Sequence, residues 1–280
     1  MTFFNGERGA ERGSRSLPVA VMLAVLLLAA TVGCTSRLGG VSGESQSEIL
    51  TESDEPETRK RARIRLELAV GYFEQGQTTV ALDELKQSLV ADPNFAEAHN
   101  LRGLIYMRLN DPRLAEESFR RALTISPRDA NVLHNYGWML CQQARYPESQ
   151  QALSQAIANP TYAGRAKSWM AQGLCQARAG KVAEAEQSLQ RSYELDAGNP
   201  VTGYNLANLL YQRGEFTKAQ FYVRRLNNSE LANAESLWLG IKVERQMENR
   251  DAMQQLVGQL KKRFAQSREL AAFERSAFNE

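Results

Sequence analysis

Small and large apolar residues return along this chain at a fixed interval. Pro93 and Pro127 stand 34 residues apart, and a matching series precedes each: Ala69, Tyr72, Ala81 and Leu85 before the first, Gly103, Tyr106, Ala115, Phe119 and Ala122 before the second. The spacing continues through Gly137, Leu140, Ser149, Leu153 and Ala156, with Pro160 one residue early. After a slip of two residues at Thr161 to Gly164, a fourth copy holds Trp169, Gly173, Gly180, Ala185 and Leu189. A fifth holds Leu206, Ala207, Leu210, Gly214, Ala219 and Val223, and a sixth Leu239, Gly240, Val243, Ala252 and Leu256. Each copy contains two helical patterns of roughly 13 residues parted by a Gly, Asn or Pro break. The breaks fall at Gln75-Gly76, Asn110-Asp111-Pro112, Ala179-Gly180, Arg213-Gly214 and Asn249-Arg250. One helix pair cannot bury its apolar faces alone, so successive pairs must stack. The pattern therefore predicts an all-α, right-handed superhelical solenoid of about six helix hairpins over residues 61–265. Residues 266–280, with Leu270, Phe273 and Phe278 at helical spacing, read as a capping helix for the open end.

These recurring positions resemble the tetratricopeptide repeat, and the likeness covers about residues 62–265. Such solenoids present the first helix of each pair along a concave groove that takes extended or helical peptide segments. Carried over by register, the resemblance implies groove positions at Leu66, Val70 and Phe73 in the first copy and at Asn100, Leu104 and Met107 in the second. It adds His134, Trp138 and Cys141 in the third copy and Tyr204, Asn208 and Tyr211 in the fifth. Apolar and amide side chains predominate. The cations of this row, Arg63, Arg108, Lys167, Arg178 and Arg245, are scattered over four copies, so a mostly apolar peptide or strand is the expected ligand. Trp138 is not a packing position of the repeat; it either fills a local gap or anchors a partner.

The amino terminus follows different rules. Arg8, Arg12 and Arg15 precede an uncharged Leu/Val/Ala run from Leu17 to Ala30, which Thr31-Val32-Gly33-Cys34 follows. Basic start, apolar middle and small exit are the layout of a secretory signal. The uncharged stretch from Ser16 to Ser36 is also just long enough to remain as a membrane anchor. Cys34 sits where a bacterial lipoprotein signal places its lipidated cysteine, and Gly33 fits that pattern while Thr31 departs from it. Residues 1–33 are expected to be removed, leaving Cys34 with palmitate-type acyl chains that hold the chain to a bilayer. Thr35 rather than Asp follows the cysteine, which by analogy with enteric sorting favours the outer membrane. Residues 34–60, rich in Gly, Ser and then charge, read as a flexible tether.

Composition removes several functions. With 34 Lys and Arg against 32 Asp and Glu, the net charge of +2 leaves no footprint for nucleic acid. Three cysteines and two histidines are too few for a disulfide scaffold or a zinc ribbon. His134 and Cys141 lie two turns apart on one helix face and Cys175 falls in the next copy, but a third ligand is missing and His99 is a repeat away. No metal is expected. An exported protein could join Cys141 to Cys175, yet two small packing residues are the preferred reading. No nucleophile signature or phosphate-cradling Gly loop occurs, so the chain reads as a non-enzyme without a small-molecule substrate or any cofactor beyond the lipid on Cys34.

Two stretches carry a closer likeness: Asn131-Val132-Leu133-His134-Asn135-Tyr136-Gly137 with Arg145-Tyr146, and Glu235-Ser236-Leu237-Trp238-Leu239-Gly240-Ile241. Together with the leader, the copy number and the short tail, they resemble the PilF/PilW family of type IV pilus biogenesis lipoproteins, the pilotins. The resemblance implies a protein on the periplasmic face of the outer membrane that binds secretin subunits and promotes their localisation and assembly. An adaptor of another envelope machine, such as outer-membrane protein assembly or a cell-wall synthase complex, is the alternative.

Overall fold

The computed structural model describes residues Glu55–Phe278, so the signal, Cys34 and most of the expected tether lie outside the described residues. Thirteen α-helices and no strand are found among them. The first hairpin is α1 (Glu57–Glu74) and α2 (Thr78–Ala91); the second is α3 (Ala96–Arg108) and α4 (Pro112–Ile125). The third pairs α5 (Ala130–Gln142) with α6 (Tyr146–Ala158), and the fourth α7 (Arg165–Arg178) with α8 (Val182–Leu195). The fifth pairs α9 (Pro200–Gln212) with α10 (Phe216–Asn227), and the sixth α11 (Ala234–Gln246) with α12 (Arg250–Arg263), before the short α13 (Arg268–Glu274). Helix α1 starts at Glu57, inside the stretch assigned to the tether. Pro56 launches it, and Glu57–Lys60 and Arg63–Glu67 pairs, three and four residues apart, favour helix there.

Each hairpin turns through a residue at positive φ: Gly76, Asn110, Ala144, Gly180, Gly214 and Glu248. Of the three non-glycines, only Asn110 falls inside a break that the sequence pattern placed. Ala144 marks a turn with no breaker residue, and Glu248 lies one residue before Asn249. Stacking of the flanking helices overrides the cost of about 1–2 kcal/mol that an L-residue incurs there. Helix starts carry side-chain caps: Asp129 accepts from the Asn131 and Val132 amides, Asn199 from Val201 and Thr202, and Asn233 forms a capping box with Ser236.

Within a hairpin, the small residue of the first helix admits a large one from the second. A Cβ on Gly103 would lie 2.5 Å from the Phe119 ring, and one on Gly137 2.8 Å from Leu153. Phe119, Leu153 and Leu189 are fully buried at these crossings. The two-residue slip is absorbed by the turn after α6, where the Asn159 carboxamide accepts from the Thr161 amide and Tyr162 packs toward Leu133 and Ala156.

Consecutive first helices lie against one another (α1 on α3, α3 on α5, α5 on α7, α9 on α11), whereas consecutive second helices pack little. The first helices therefore form the inner row of the stack. Helix α13 continues this row by packing on α11. It has only 7 residues rather than spanning the whole expected cap, because Ser267 caps its start and Ser276, at positive φ, turns the chain at its end. That turn folds Phe278 back onto Trp238, with ring centroids 5.2 Å apart.

Candidate protein-binding groove

The inner row carries the positions that register assigned to a groove. Val70 is 37% exposed. Leu66, Phe73, Asn100, Leu104, Met107, His134, Trp138, Tyr204, Asn208 and Tyr211 are half-buried, each open to solvent on one side. Cys141 departs from the set: it is buried and bonded to Cys175, with the two Cα atoms 5.7 Å apart. The packing reading of these cysteines is therefore corrected. A separation of one repeat is remote along the chain, but in a solenoid it places residues on touching first helices, here α5 and α7, within disulfide reach.

Several groove side chains also tie neighbouring helices together. Asn135 Nδ2 donates to Asn100 Oδ1 at 3.0 Å, linking α5 to α3. His134 Nδ1 lies 2.9 Å from Ser168 Oγ, linking α5 to α7. Burial, with Lys167 nearby as a smaller cause, holds the His134 pKa below its ordinary value. His99, also assigned no metal role, places Nε2 2.9 Å from the Pro93 carbonyl and leaves Nδ1 buried without a partner, so its neutral form is favoured. No cluster of metal-ligating side chains occurs among the described residues.

Cations lie over the aromatic members of the row. Arg108 sits 3.8 Å above the Phe73 ring while Nη1 donates to the Phe73 carbonyl at 2.6 Å. Arg178 lies 5.2 Å from the Trp138 ring, so this indole is half-buried under a guanidinium from the next hairpin. Lys242 lies 5.5 Å from Tyr211 and 5.7 Å from Trp238, and burial lowers its pKa. Two hollows open at the ends of the row. One of 530 Å³ is lined by Leu66, Val70 and Phe95 with Arg59, Arg63, Glu67 and Glu97. The other, of 420 Å³, lies between Tyr204, Trp238, Lys242 and α13. Lys242 was missed by sequence reasoning, which took only Arg245 from the sixth hairpin; counting on from Gly240 reaches it.

Models of the tetratricopeptide repeat match residues 66–130, 140–200 and 176–237. The type IV pilus assembly protein PilF of Pseudomonas aeruginosa is 31% identical over 258 residues, spanning 92% of this chain and 99% of that protein. The chain belongs to the PilF/PilW family. The solved structure of P. aeruginosa PilF aligns with this PilF/PilW member at a TM-score of 0.72 and 31% identity, covering 79% of this chain and all of that one. PilW, described as a widely conserved type IV pilus biogenesis factor, aligns at 0.69 and 31%, covering 76% and 97%. YrrB, a tetratricopeptide protein at 12% identity and a TM-score of 0.54, shares the fold alone. PilF/PilW membership makes this chain a type IV pilus assembly protein of tetratricopeptide architecture, a scaffold whose business is contact with other proteins.

Proposed function

We propose that the chain is a non-enzymatic outer-membrane lipoprotein that binds secretin subunits of the type IV pilus and promotes their localisation and assembly. The observation that carries this reading is likeness to PilF along essentially the whole of both chains. The half-open inner row supports it by offering apolar, amide and aromatic side chains to a polypeptide segment. Acyl chains on Cys34 hold the solenoid at the periplasmic face of the bilayer, and the intervening tether raises the effective concentration of groove and secretin for one another. Replacing Cys34 with Ala is expected to leave the fold intact, release the protein from the membrane fraction, and leave the secretin largely monomeric on semi-denaturing gels. Normal secretin rings with a soluble Cys34→Ala protein would sink the tethering step. Normal rings in cells lacking the chain altogether would sink the whole reading.

A further inference from the structure

The ligand chemistry expected from sequence was apolar, but the inner row has a second property. Five residues after the small residue of each first helix stand Glu74, Arg108, Gln142, Arg178, Gln212 and Arg245. Every second hairpin thus places an arginine at one position, in the last turn of α3, α7 and α11. Arg108 and Arg178 cover groove aromatics from the preceding hairpin, and Arg245 lies 3.8 Å above the folded-back Phe278. None of Arg108, Arg178, Lys242 and Arg245 holds an ion pair with a described residue. The arginines that bridge other helix faces differ. Arg59 holds Asp92, Arg65 holds Glu84, Arg145 holds Glu116 and Glu148, Arg213 holds Glu186 and Glu215, and Arg224 holds the buried Glu244.

The acids at the ends of the row do not compensate these four cations. Glu67 is taken up by Arg63, and Glu235 and Glu269 by Arg268; Glu74 and Glu97 remain at the first two hairpins. A chain close to neutral overall therefore keeps a line of uncompensated positive charge beside its aromatic and aliphatic groove positions. Guanidinium groups lying over rings have their faces occupied; Arg108 spends one edge donor, Nη1, on the Phe73 carbonyl, and its remaining N–H groups, like those of Arg178 and Arg245, have the fork geometry that suits carboxylates.

From this charge asymmetry we infer that the groove, in the binding role proposed above, selects polypeptide segments in which carboxylates alternate with apolar side chains. The carboxylates meet Arg108, Arg178, Lys242 and Arg245, and the apolar residues meet the row between them. A polypeptide fits better than a bilayer surface because these cations lie on the inner row of the stack and over its rings rather than on its outer helices.

The test uses the mature chain on an array of overlapping peptides from the secretin and from the other outer-membrane proteins of the same cell. Each peptide is displayed in native form and with every Asp and Glu changed to Asn and Gln. Captured peptides should be enriched in acids flanked by apolar residues, and their amide forms should bind about tenfold more weakly. The combined variant Arg108→Gln, Arg178→Gln, Lys242→Gln and Arg245→Gln should lose the same preference while keeping the melting temperature. If it melts early, the single variants are scored instead, and Arg178→Lys should retain the preference. Equal capture of native and amide forms overturns the inference and leaves the secretin reading standing. Acid-rich peptides captured only from other proteins support the inference and sink the secretin reading. Binding to phosphatidylglycerol vesicles that the combined variant loses, with no peptide preference, overturns it in favour of lipid.

Discussion

Hairpins three and four and hairpins five and six use the same first-helix positions to opposite ends. Between α5 and α7, Cys141 is bonded to Cys175 and His134 meets Ser168, so the row is spent on holding neighbours together. Between α9 and α11 the corresponding stretch has no covalent link; Tyr204, Trp238 and Lys242 instead line a 420 Å³ hollow, and cohesion comes from α13 and Phe278 packed on Trp238. A repeat position therefore has no fixed role. It binds its neighbour when the adjacent helix offers a partner and stays available to a ligand when it does not.

The comparison is broken most severely at Trp238, which is 7% exposed against Phe273 and Phe278. Trp238→Ala should cost about 3–5 kcal/mol. In an array stabilised by nearest neighbours the loss should stay local, so amide exchange should rise across α11 to α13 and stay near the native level in α5 and α7. A uniform rise along the chain would contradict the separation of the two regions.

Removing the staple comes next. Cys141→Ala with Cys175→Ala should lower stability by roughly 2–4 kcal/mol, read as a lower urea midpoint. Treating the native protein with reductant should reproduce the shift, while the double variant should ignore reductant. An unchanged midpoint would mean that packing alone holds α5 to α7.

The smallest effect is electrostatic. The folded-state pKa of His134 lies below its ordinary value of about 6.5, so between the two values the unfolded chain binds the additional proton. Stability is complete above about pH 6.5 and declines as the pH falls toward the folded value. His99 shifts in the same direction for the same first cause, burial. His134→Gln should therefore reduce, without abolishing, the fall in melting temperature between neutral and mildly acidic pH. An identical pH profile in the variant would show that His134 is not desolvated in the groove.

How legible these features were depends on how far apart in the stack the interacting residues lie. Within a hairpin the reading was close: Gly103 against Phe119 and Gly137 against Leu153 follow from residues 16 apart on adjoining helices, and five of six breaks were visible, one of them a residue late. The Ala144 turn was silent because nothing in its side chain favours positive φ. The cap was visible in Leu270, Phe273 and Phe278, but the fold-back at Ser276 was not, since a local turn ends the helix where spacing alone would continue it.

The 34-residue period by itself determined an all-helical stack and the number of hairpins, because close packing of small against large side chains leaves the backbone few other arrangements; that the first helix of each pair lines the inner row came from the tetratricopeptide resemblance. Only the tertiary structure decided which inner-row residues are consumed. Whether Cys141 finds Cys175, whether Asn100 meets Asn135, and whether Arg178 is left on a ring without an acid all depend on the rotation and approach of neighbouring hairpins. Those quantities are set by the sum of many packing contacts, so no single residue in the sequence records them.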